Sequence, residues 1–308
     1  TNIGVDFTAF RGRVDLSADY YIKNTDNLLL DITKAPSVGV TTSRENIGEV
    51  QNSGFELRLR TFPIQNKDWQ WSLGLTYAYN KNKIKKISNS LREQNEKNKA
   101  DNGVAPLPIY EEGQSLTALK VVPSAGIDPV TGQEIFIKRD GTYTFVYDSN
   151  DKVIFGDTNP IGTGSINSYL TYKRFALSCS FLYSFGGSLY NETLATKVEG
   201  ANPKYNADER VLNDRWKTPG TIAKYKRIDD TTTPYQTSRF VEKNNFLRMS
   251  SLSLSYEVPT TFIQKYGLKR MFLELLTNDL FYLSTAKRER GLNYPYDRSF
   301  EFSVRFSL

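Results

Sequence analysis

The residues of this chain that could do chemistry are aromatic and charged side chains in two long stretches between predicted strands. Flat aromatic rings suit the faces of sugar rings or peptide side chains, and arginine adds directional hydrogen bonds. The candidate ligand-binding residues are Tyr143, Tyr147, Tyr190, Arg215, Trp216 and Tyr225. The same side chains could instead pack the loops against one another or against a partner protein, and the sequence leaves both interpretations open.

The composition gives no support for catalysis. The 308 residues include no histidine, which removes Ser-His-Asp and Cys-His nucleophilic arrangements and the commonest metal ligand. The single cysteine, Cys179, alternates with Leu177 and Phe181, and we expect it to pack or to face lipid. A phosphate-binding loop of the GxxxxGK[ST] type does not occur. We therefore predict a protein that is not an enzyme, with no catalytic residue, no metal site and no cofactor.

The loops must be held by strands, and the clearest strand is Trp69–Tyr79. Its odd positions are large and apolar or aromatic, and its even positions are polar or small. A strand with this alternation has one apolar face and one polar face. A transmembrane β-strand needs about 9–11 residues, aromatic rings at both lipid–water interfaces and a polar lumen side. This stretch meets all three conditions, so it is predicted to span a membrane.

The same alternation recurs along the chain and predicts about nine strands. They are Ile3–Phe10, Val14–Thr25, Ser53–Phe62, Trp69–Tyr79, Ser165–Tyr172, Phe175–Phe185, Phe246–Val258, Lys269–Phe281 and Phe300–Leu308. The polar positions of these strands are expected to face a lumen. The candidate lumen-facing residues are Glu56, Arg58, Arg60, Gln70 and Asn80. The sequence contains no apolar run long enough for a transmembrane helix.

The connections between these strands alternate between short and long. Bacterial outer-membrane barrels have short periplasmic turns and long extracellular loops. If the last strand ends in the periplasm, the first strand also runs toward the periplasm, and an open edge in lipid would leave backbone groups unpaired. We therefore expect an all-β fold in which residues 1–308 form the C-terminal part of a larger transmembrane antiparallel β-barrel. The most charged tract, Lys81–Asp101, is expected to be a solvated loop segment.

Six stretches, taken in chain order, carry a family resemblance. They are Asp19–Thr25, Asn46–Glu56, Gly126–Gly132, Phe155–Pro160, Arg215–Gly220, and Phe246–Met249 together with Leu252–Pro259. The set resembles the C-terminal region of the SusC/RagA family of TonB-dependent outer-membrane transporters. The segment Arg288–Arg298 departs from the family pattern, because it lacks the glycine- and acid-rich loop expected before the last strand. This departure leaves the substrate subgroup open.

The resemblance implies a 22-stranded barrel in the outer membrane whose lumen is closed by an N-terminal plug. It implies active import of a large nutrient, an oligosaccharide or an oligopeptide, with TonB and a SusD-like surface lipoprotein as partners and outer-membrane lipid around the wall. We expect no nucleic-acid partner, because the 40 basic residues form no stripe interleaved with stacking aromatics. The alternatives are a passive large porin and a soluble β-sandwich binding or adhesion module. The aromatic ends of Trp69–Tyr79 argue against the soluble module.

Overall fold

The computed structural model describes residues 1–33, 42–202, 204–289 and 298–307, and most of them form strands. The strands are β1 (Asn2–Ala9), β2 (Val14–Thr33), β3 (Thr42–Gln65), β4 (Trp69–Ile87), β5 (Ala118–Val121), β6 (Ser124–Ile127), β7 (Glu134–Ile137), β8 (Tyr143–Thr144), β9 (Val153–Asp157), β10 (Gly162–Tyr172), β11 (Phe175–Tyr190), β12 (Val241–Glu257), β13 (Arg270–Asn278), β14 (Tyr282–Ser284) and β15 (Phe300–Ser307). The helices are α1 (Asn89–Ala100), α2 (Arg210–Asn213) and α3 (Thr260–Ile263), with a π-helical turn at Leu194–Glu199. No helix among these residues is both long and apolar enough to cross a membrane.

One large antiparallel sheet forms a continuous wall. Its order is β1-β2-β3-β4-β10-β11-β12-β13-β15, and the short strand β14 pairs with β12 beyond the end of β13. The all-β fold and the nine predicted strands are therefore confirmed. Within the described residues the sheet does not close on itself, and β1 and β15 form its two edges.

Several strands run further toward the long loops than the sequence predicts. β2 ends at Thr33 instead of the predicted Thr25. β4 ends at Ile87 instead of Tyr79, and β11 ends at Tyr190 instead of Phe185. In these extensions the apolar–polar alternation stops, although the hydrogen-bonded ladder goes on. A strand that leaves the membrane meets water on its outer face, so polar residues are tolerated on both sides. The predicted strand end Leu308 lies outside the described residues.

The predicted strand Lys269–Phe281 is interrupted. β13 ends at Asn278, Asp279 adopts a left-handed conformation with φ of 50°, and the chain pairs with β12 again at Phe281, whose carbonyl accepts from the backbone N–H of Met249 at 3.1 Å. The carboxylate of Asp279 lies 3.1 Å from Nε of Arg248 on β12.

The cross-strand register sorts the side chains onto two faces. Leu75 of β4 lies opposite Leu59 of β3 and Ile166 of β10, and Leu59 lies opposite Leu16 of β2. On this face the wall strands carry no charged residue between Trp69 and Tyr79 or at the corresponding positions of their neighbours. The large apolar side chains there are uncovered by protein; Phe302 of β15, for example, is 66% exposed. Such a face requires an apolar environment, which lipid provides.

All five predicted lumen-facing residues share the opposite face. Glu56, Arg58 and Arg60 alternate along β3, and Gln70 and Asn80 occupy positions of the same parity on β4. Nε of Arg60 lies 3.5 Å from the carboxylate of Asp15, and Asn80 accepts a 3.2 Å hydrogen bond from the hydroxyl of Tyr21. Polar contacts between neighbouring strands therefore connect the side chains of this face. That these side chains line the lumen of a complete barrel stays a prediction.

Two aromatic bands border the apolar face. At the short turns, Trp69 stacks on Tyr172 with ring centroids 4.1 Å apart, and Phe175 packs on Tyr256 at 4.7 Å. Toward the long loops, the ring centroid of Phe185 lies 6.3 Å from that of Tyr77 and 6.5 Å from that of Tyr183. The ten-residue rise from Trp69 to Tyr79 spans about 34 Å along the strand, or about 26 Å for a strand tilted by about 40°. This height matches the apolar band of an outer-membrane barrel, which is about 25 Å tall.

Replacing Leu75 by Arg should destabilise the folded wall by about 2–4 kcal/mol, because Leu75 lies midway between the aromatic bands on the apolar face. The measurement is the urea dependence of folding of the full-length protein into lipid vesicles. Asn167→Arg is the matched control, since Asn167 lies opposite Gly74 on the polar face of the adjacent strand. It should change stability by less than about 1 kcal/mol. Equal stability of the two variants would show that the faces are assigned wrongly.

Candidate functional site

The two long connections fold into one packed body on the long-loop side of the wall. We name residues 88–161 loop A and residues 191–240 loop B. Loop B has its own buried apolar cluster of Leu194, Ala195, Val198, Val211, Tyr225 and Phe240, against which Val104 of loop A and Tyr190 pack. Val122 of loop A and Thr237 of loop B form a parallel β-bridge, and both are fully buried. The candidate ligand-binding residues all belong to this body or border it.

A buried ion cluster joins the two loops. The Arg239 guanidinium donates to both carboxylate oxygens of Glu134 at 2.7 and 2.6 Å, and to both of Glu199 at 2.6 and 2.8 Å. It also donates to the backbone carbonyl of Lys224 at 2.9 Å. The two carboxylates are buried, and the Arg239 side chain is 10% exposed. Burial alone would lower the pKa of Arg239, but the two carboxylates hold it above its usual value. Arg239 thus fixes the start of β12 to β7 and to the π-helical turn.

Arg215 is a second buried arginine of loop B, and it binds backbone carbonyls. It is 4% exposed, and its guanidinium donates to the carbonyls of Val198 at 2.6 Å and Glu199 at 2.8 Å. A further bond of 3.2 Å reaches the carbonyl of Lys226. The last carbonyls of a helical turn have no partner within the turn, so Arg215 satisfies them. Burial lowers the pKa of Arg215. In this structure the two terminal nitrogens of Arg215 donate to the backbone of loop B.

Trp216 connects loop B to loop A. Its indole N–H donates to the carbonyl of Pro129 at 2.9 Å, and its ring lies against Gly132. A Cβ atom at Gly132 would come within 2.6 Å of that ring, and Gly132 also has a positive φ of 72°. Glycine is needed there for both reasons. The guanidinium of Arg227 lies 5.8 Å from the centroid of the Trp216 ring.

The four predicted tyrosines differ in accessibility. The hydroxyl of Tyr190 donates to the carbonyl of Val104 at 2.7 Å, and burial raises the pKa of Tyr190. Tyr147 stacks on Tyr235 with centroids 4.2 Å apart, and burial raises its pKa as well. Tyr225 lies in the core of loop B, where burial raises its pKa to about 12. Tyr143, at 71% exposure, presents most of its surface to solution.

A cleft of about 500 Å³ brings two of the predicted residues together. It is lined by Val211, Leu212, Arg215, Trp216, Lys217, Arg227, Ile228 and Asp229. Leu212 and Ile228 are exposed apolar side chains, and Arg227 forms an ion pair with Asp229 beside them. Sequence reasoning missed Leu212, Arg227 and Ile228, because no periodicity or motif marks them. Tyr143, Tyr147, Tyr190 and Tyr225 do not line this cleft.

A second concave region lies at the β1 edge of the wall, between β1, β2 and β3. Its lining is Thr1, Asn2, Asp19, Tyr21, Ile22, Lys23, Asn24 and Glu56, and its volume is about 900 Å³. It contains the predicted lumen residue Glu56 and is far more polar than the loop cleft. The two concavities therefore suit different contacts, one with apolar or ring surfaces and one with hydrogen-bonding groups.

Comparisons with known proteins agree with this architecture. Residues 1–109 match a family model described as TonB dependent receptor-like, beta-barrel. The TonB-dependent receptor P3 of Formosa agariphila is 29% identical over 293 residues, which cover 88% of this chain and 28% of that protein. The TonB-dependent receptor SusC of Bacteroides thetaiotaomicron is 26% identical over 266 residues, which cover 83% of this chain and 25% of SusC.

Solved structures show the same fold. A structure of the RagAB peptide transporter superposes on 99% of this chain and 34% of the matched chain, with a TM-score of 0.80 and 22% identity. A structure of the RagAB peptide importer in its open-open state gives a TM-score of 0.79 over the whole of this chain. The chain spans about a quarter to a third of the length of the curated relatives it matches.

Replacing Arg239 by Met should loosen the joined loops, because it leaves Glu134 and Glu199 buried without their counter-ion. Breaking a buried ion pair from one side costs about 3–5 kcal/mol. Hydrogen exchange of the full-length protein in detergent should therefore accelerate at residues 134–137 and 194–199, while β4 and β10 exchange as before.

The control is Arg92→Met, which removes the exposed ion pair between Arg92 of α1 and Glu112 of loop A. Exposed pairs contribute about 0–1 kcal/mol, so exchange in this variant should match the parent protein. Unchanged exchange in Arg239→Met would mean that the ion cluster does not hold the loops.

Proposed function

We propose that this chain, a TonB-dependent receptor β-barrel of SusC/RagA type in the outer membrane, is part of an active importer of large nutrients. Its substrate would be an oligosaccharide or an oligopeptide. One observation carries the proposal: a wall whose apolar face has the height of a membrane barrel occurs together with extracellular loops that pack into one body around a buried ion cluster. A wall alone would serve a passive pore, whereas packed loops with a cleft offer a surface for selective capture.

In this proposal the chain is the C-terminal part of a 22-stranded barrel. Its nine wall strands would enclose the lumen together with strands outside this sequence, and a plug domain would close that lumen. TonB, driven by the inner-membrane proton gradient, would pull on the plug. The polar face that carries Glu56, Arg58, Arg60, Gln70 and Asn80 would then contact the plug, water or the passing substrate.

The partner proposed for the loop body is a SusD-like surface lipoprotein that closes over the extracellular face. The similarity to SusC, at 26% identity, and to the RagAB peptide transporter supports a partner of this type. The RagAB likeness, at 22% identity, supports the fold and leaves the substrate open. Both substrate classes remain compatible with a cleft that combines Trp216 with apolar side chains.

Of the six candidate ligand-binding residues, we propose different roles for different members. Tyr143 is accessible and can contact ligand or lipoprotein directly. Trp216 borders the cleft and can present part of its ring. Arg215, Tyr147, Tyr190 and Tyr225 are engaged in packing or hydrogen bonds within the loop body and would hold that surface in place.

The full-length protein should be purified from native outer membranes in detergent and the bound molecules identified by mass spectrometry. A stoichiometric surface lipoprotein is expected, together with a bound glycan or peptide that names the substrate class. Isolation of the barrel without lipoprotein or ligand, combined with passive conductance in planar bilayers, would support the porin instead.

Replacing Ile228 by Asp should weaken ligand retention about tenfold, equivalent to about 1.4 kcal/mol, because it places a carboxylate in an apolar contact. The amount of ligand bound per barrel is the measurement. Ile222→Asp is the control, since Ile222 lies in the same loop at 92% exposure and does not line the cleft.

Loss of ligand with the lipoprotein retained would identify the cleft as a ligand contact. Loss of the lipoprotein would identify it as part of the lid surface. Equal ligand and lipoprotein content in both variants would exclude the cleft from either role.

A further inference from the structure

We infer that the outward face of β4, directly above the extracellular aromatic band, binds the phosphate groups of outer-leaflet lipid. The residues are Lys81, Lys83, Lys85 and Lys86, which we name the lysine ladder. The inference depends on the outer-membrane location of the wall and is independent of transport, of the lipoprotein and of the substrate.

The register of β4 with β3 sets the direction of the ladder. Tyr79 lies opposite Phe55 at the upper end of the apolar face, Lys81 lies opposite Ser53 and Lys83 lies opposite Gln51. Lys81 and Lys83 have the same parity as Trp69, Leu75 and Tyr79, so they leave the strand on the lipid-facing side. Lys86 lies opposite Glu49, and Lys85 occupies the extra position where the register shifts. All four lysines are exposed.

The height of the ladder matches the lipid headgroups. A tilted strand climbs about 2.6 Å per residue, so Lys81 lies about 5 Å and Lys83 about 10 Å above Tyr79. The headgroup layer on each side of a bilayer is about 5–8 Å thick. Lysine side chains extend along an apolar surface and place their ammonium groups in the polar layer, so Lys83 can reach down to it, while Lys85 and Lys86 lie above it. Phosphates of an outer-leaflet lipid would lie at this level while its acyl chains cover Leu75 and its neighbours.

The other side of the same strand segment is closed. Asn82 accepts hydrogen bonds from the backbone of Leu116 at 2.6 Å and from the hydroxyl of Ser115 at 3.0 Å. The backbone of Ile84 pairs with Gln114, and the Ile84 side chain is buried. Loop A therefore covers the inward side, and the lysines cannot turn toward the lumen. A substrate that passes through the barrel does not meet them.

The charge of the ladder is not neutralised within the described residues. None of the four lysines forms an ion pair there, and the nearby acids of loop A are already paired, Glu111 with Lys120 and Glu112 with Arg92. Glu49 is the acidic residue directly across from the ladder. At the level of Lys83, the neighbouring positions of β3 and β2 are the neutral residues Gln51 and Asn24. The positive charge is thus concentrated on one strand, and a lipid phosphate is the anion that this surface meets in the membrane.

The test uses the full-length protein in detergent, titrated with lipid A that carries its phosphate and with the same lipid A after dephosphorylation. Native mass spectrometry counts the lipids bound per barrel. The parent protein should bind the phosphorylated lipid more tightly. The variant Lys81→Gln/Lys83→Gln/Lys85→Gln/Lys86→Gln should bind it at least about tenfold more weakly, since each lysine near an anionic surface contributes about 1 kcal/mol.

The control removes the same charge from the short-turn edge of the wall, through Lys67→Gln/Lys173→Gln/Lys265→Gln/Lys269→Gln. These lysines are exposed, and the control should bind lipid A as the parent does. Equal binding by the ladder variant and the parent would overturn the inference, as would equal loss in the control. Equal binding of phosphorylated and dephosphorylated lipid by the parent protein overturns it without any variant.

Discussion

The hydrogen-bond requirement of the backbone in lipid is the constraint on which the rest of this structure depends. Water is absent from the bilayer core, so each amide and carbonyl of the wall must pair with a neighbouring strand. Once the strands pair, the period of two assigns every side chain to lipid or to the polar side. A slip of one residue would exchange Leu75 with Thr76 and place Arg58 in lipid. The register is therefore fixed by the cost of burying charge.

Above the membrane the strands remain hydrogen-bonded to one another, but lipid no longer covers their outer face. The extensions of β2, β4 and β11 are in contact with water, and the loops between them must be stabilised by their own packing. Loop B has a small apolar cluster, and the Arg239 cluster supplies directional contacts that apolar side chains cannot give. Glu134 and Arg239 are 105 residues apart in the chain, so this guanidinium, together with the Val122–Thr237 bridge and the Trp216–Pro129 hydrogen bond, holds loop A against loop B.

These two rules explain which parts of the structure could be predicted from the sequence. The nine wall strands and the common face of Glu56, Arg58 and Arg60 follow from local alternation, which the membrane enforces. The break at Asp279, beside Arg248 of β12, leaves only a weak irregularity in the pattern. The burial of Arg215 left no local signal, because its acceptors are backbone carbonyls of a turn 16 and 17 residues earlier. The residue type of Arg215 suggested contact with a ligand, whereas its packing in the structure shows that it supports the backbone of loop B.

The same rules also determine where a chain with 40 basic residues can place its charge. The lipid-facing band of the wall excludes charge, so the basic residues collect on the polar face, in the loops and at the two edges of the band. On the polar face they meet acids, as Arg60 meets Asp15 and Arg305 meets Glu274. At the long-loop edge the lysines of β4 form no ion pair within the described residues, and the surrounding lipid supplies phosphate at that level. The exposed lysines of β4 therefore lie where charge excluded from the lipid-facing band can meet an anion of the membrane surface.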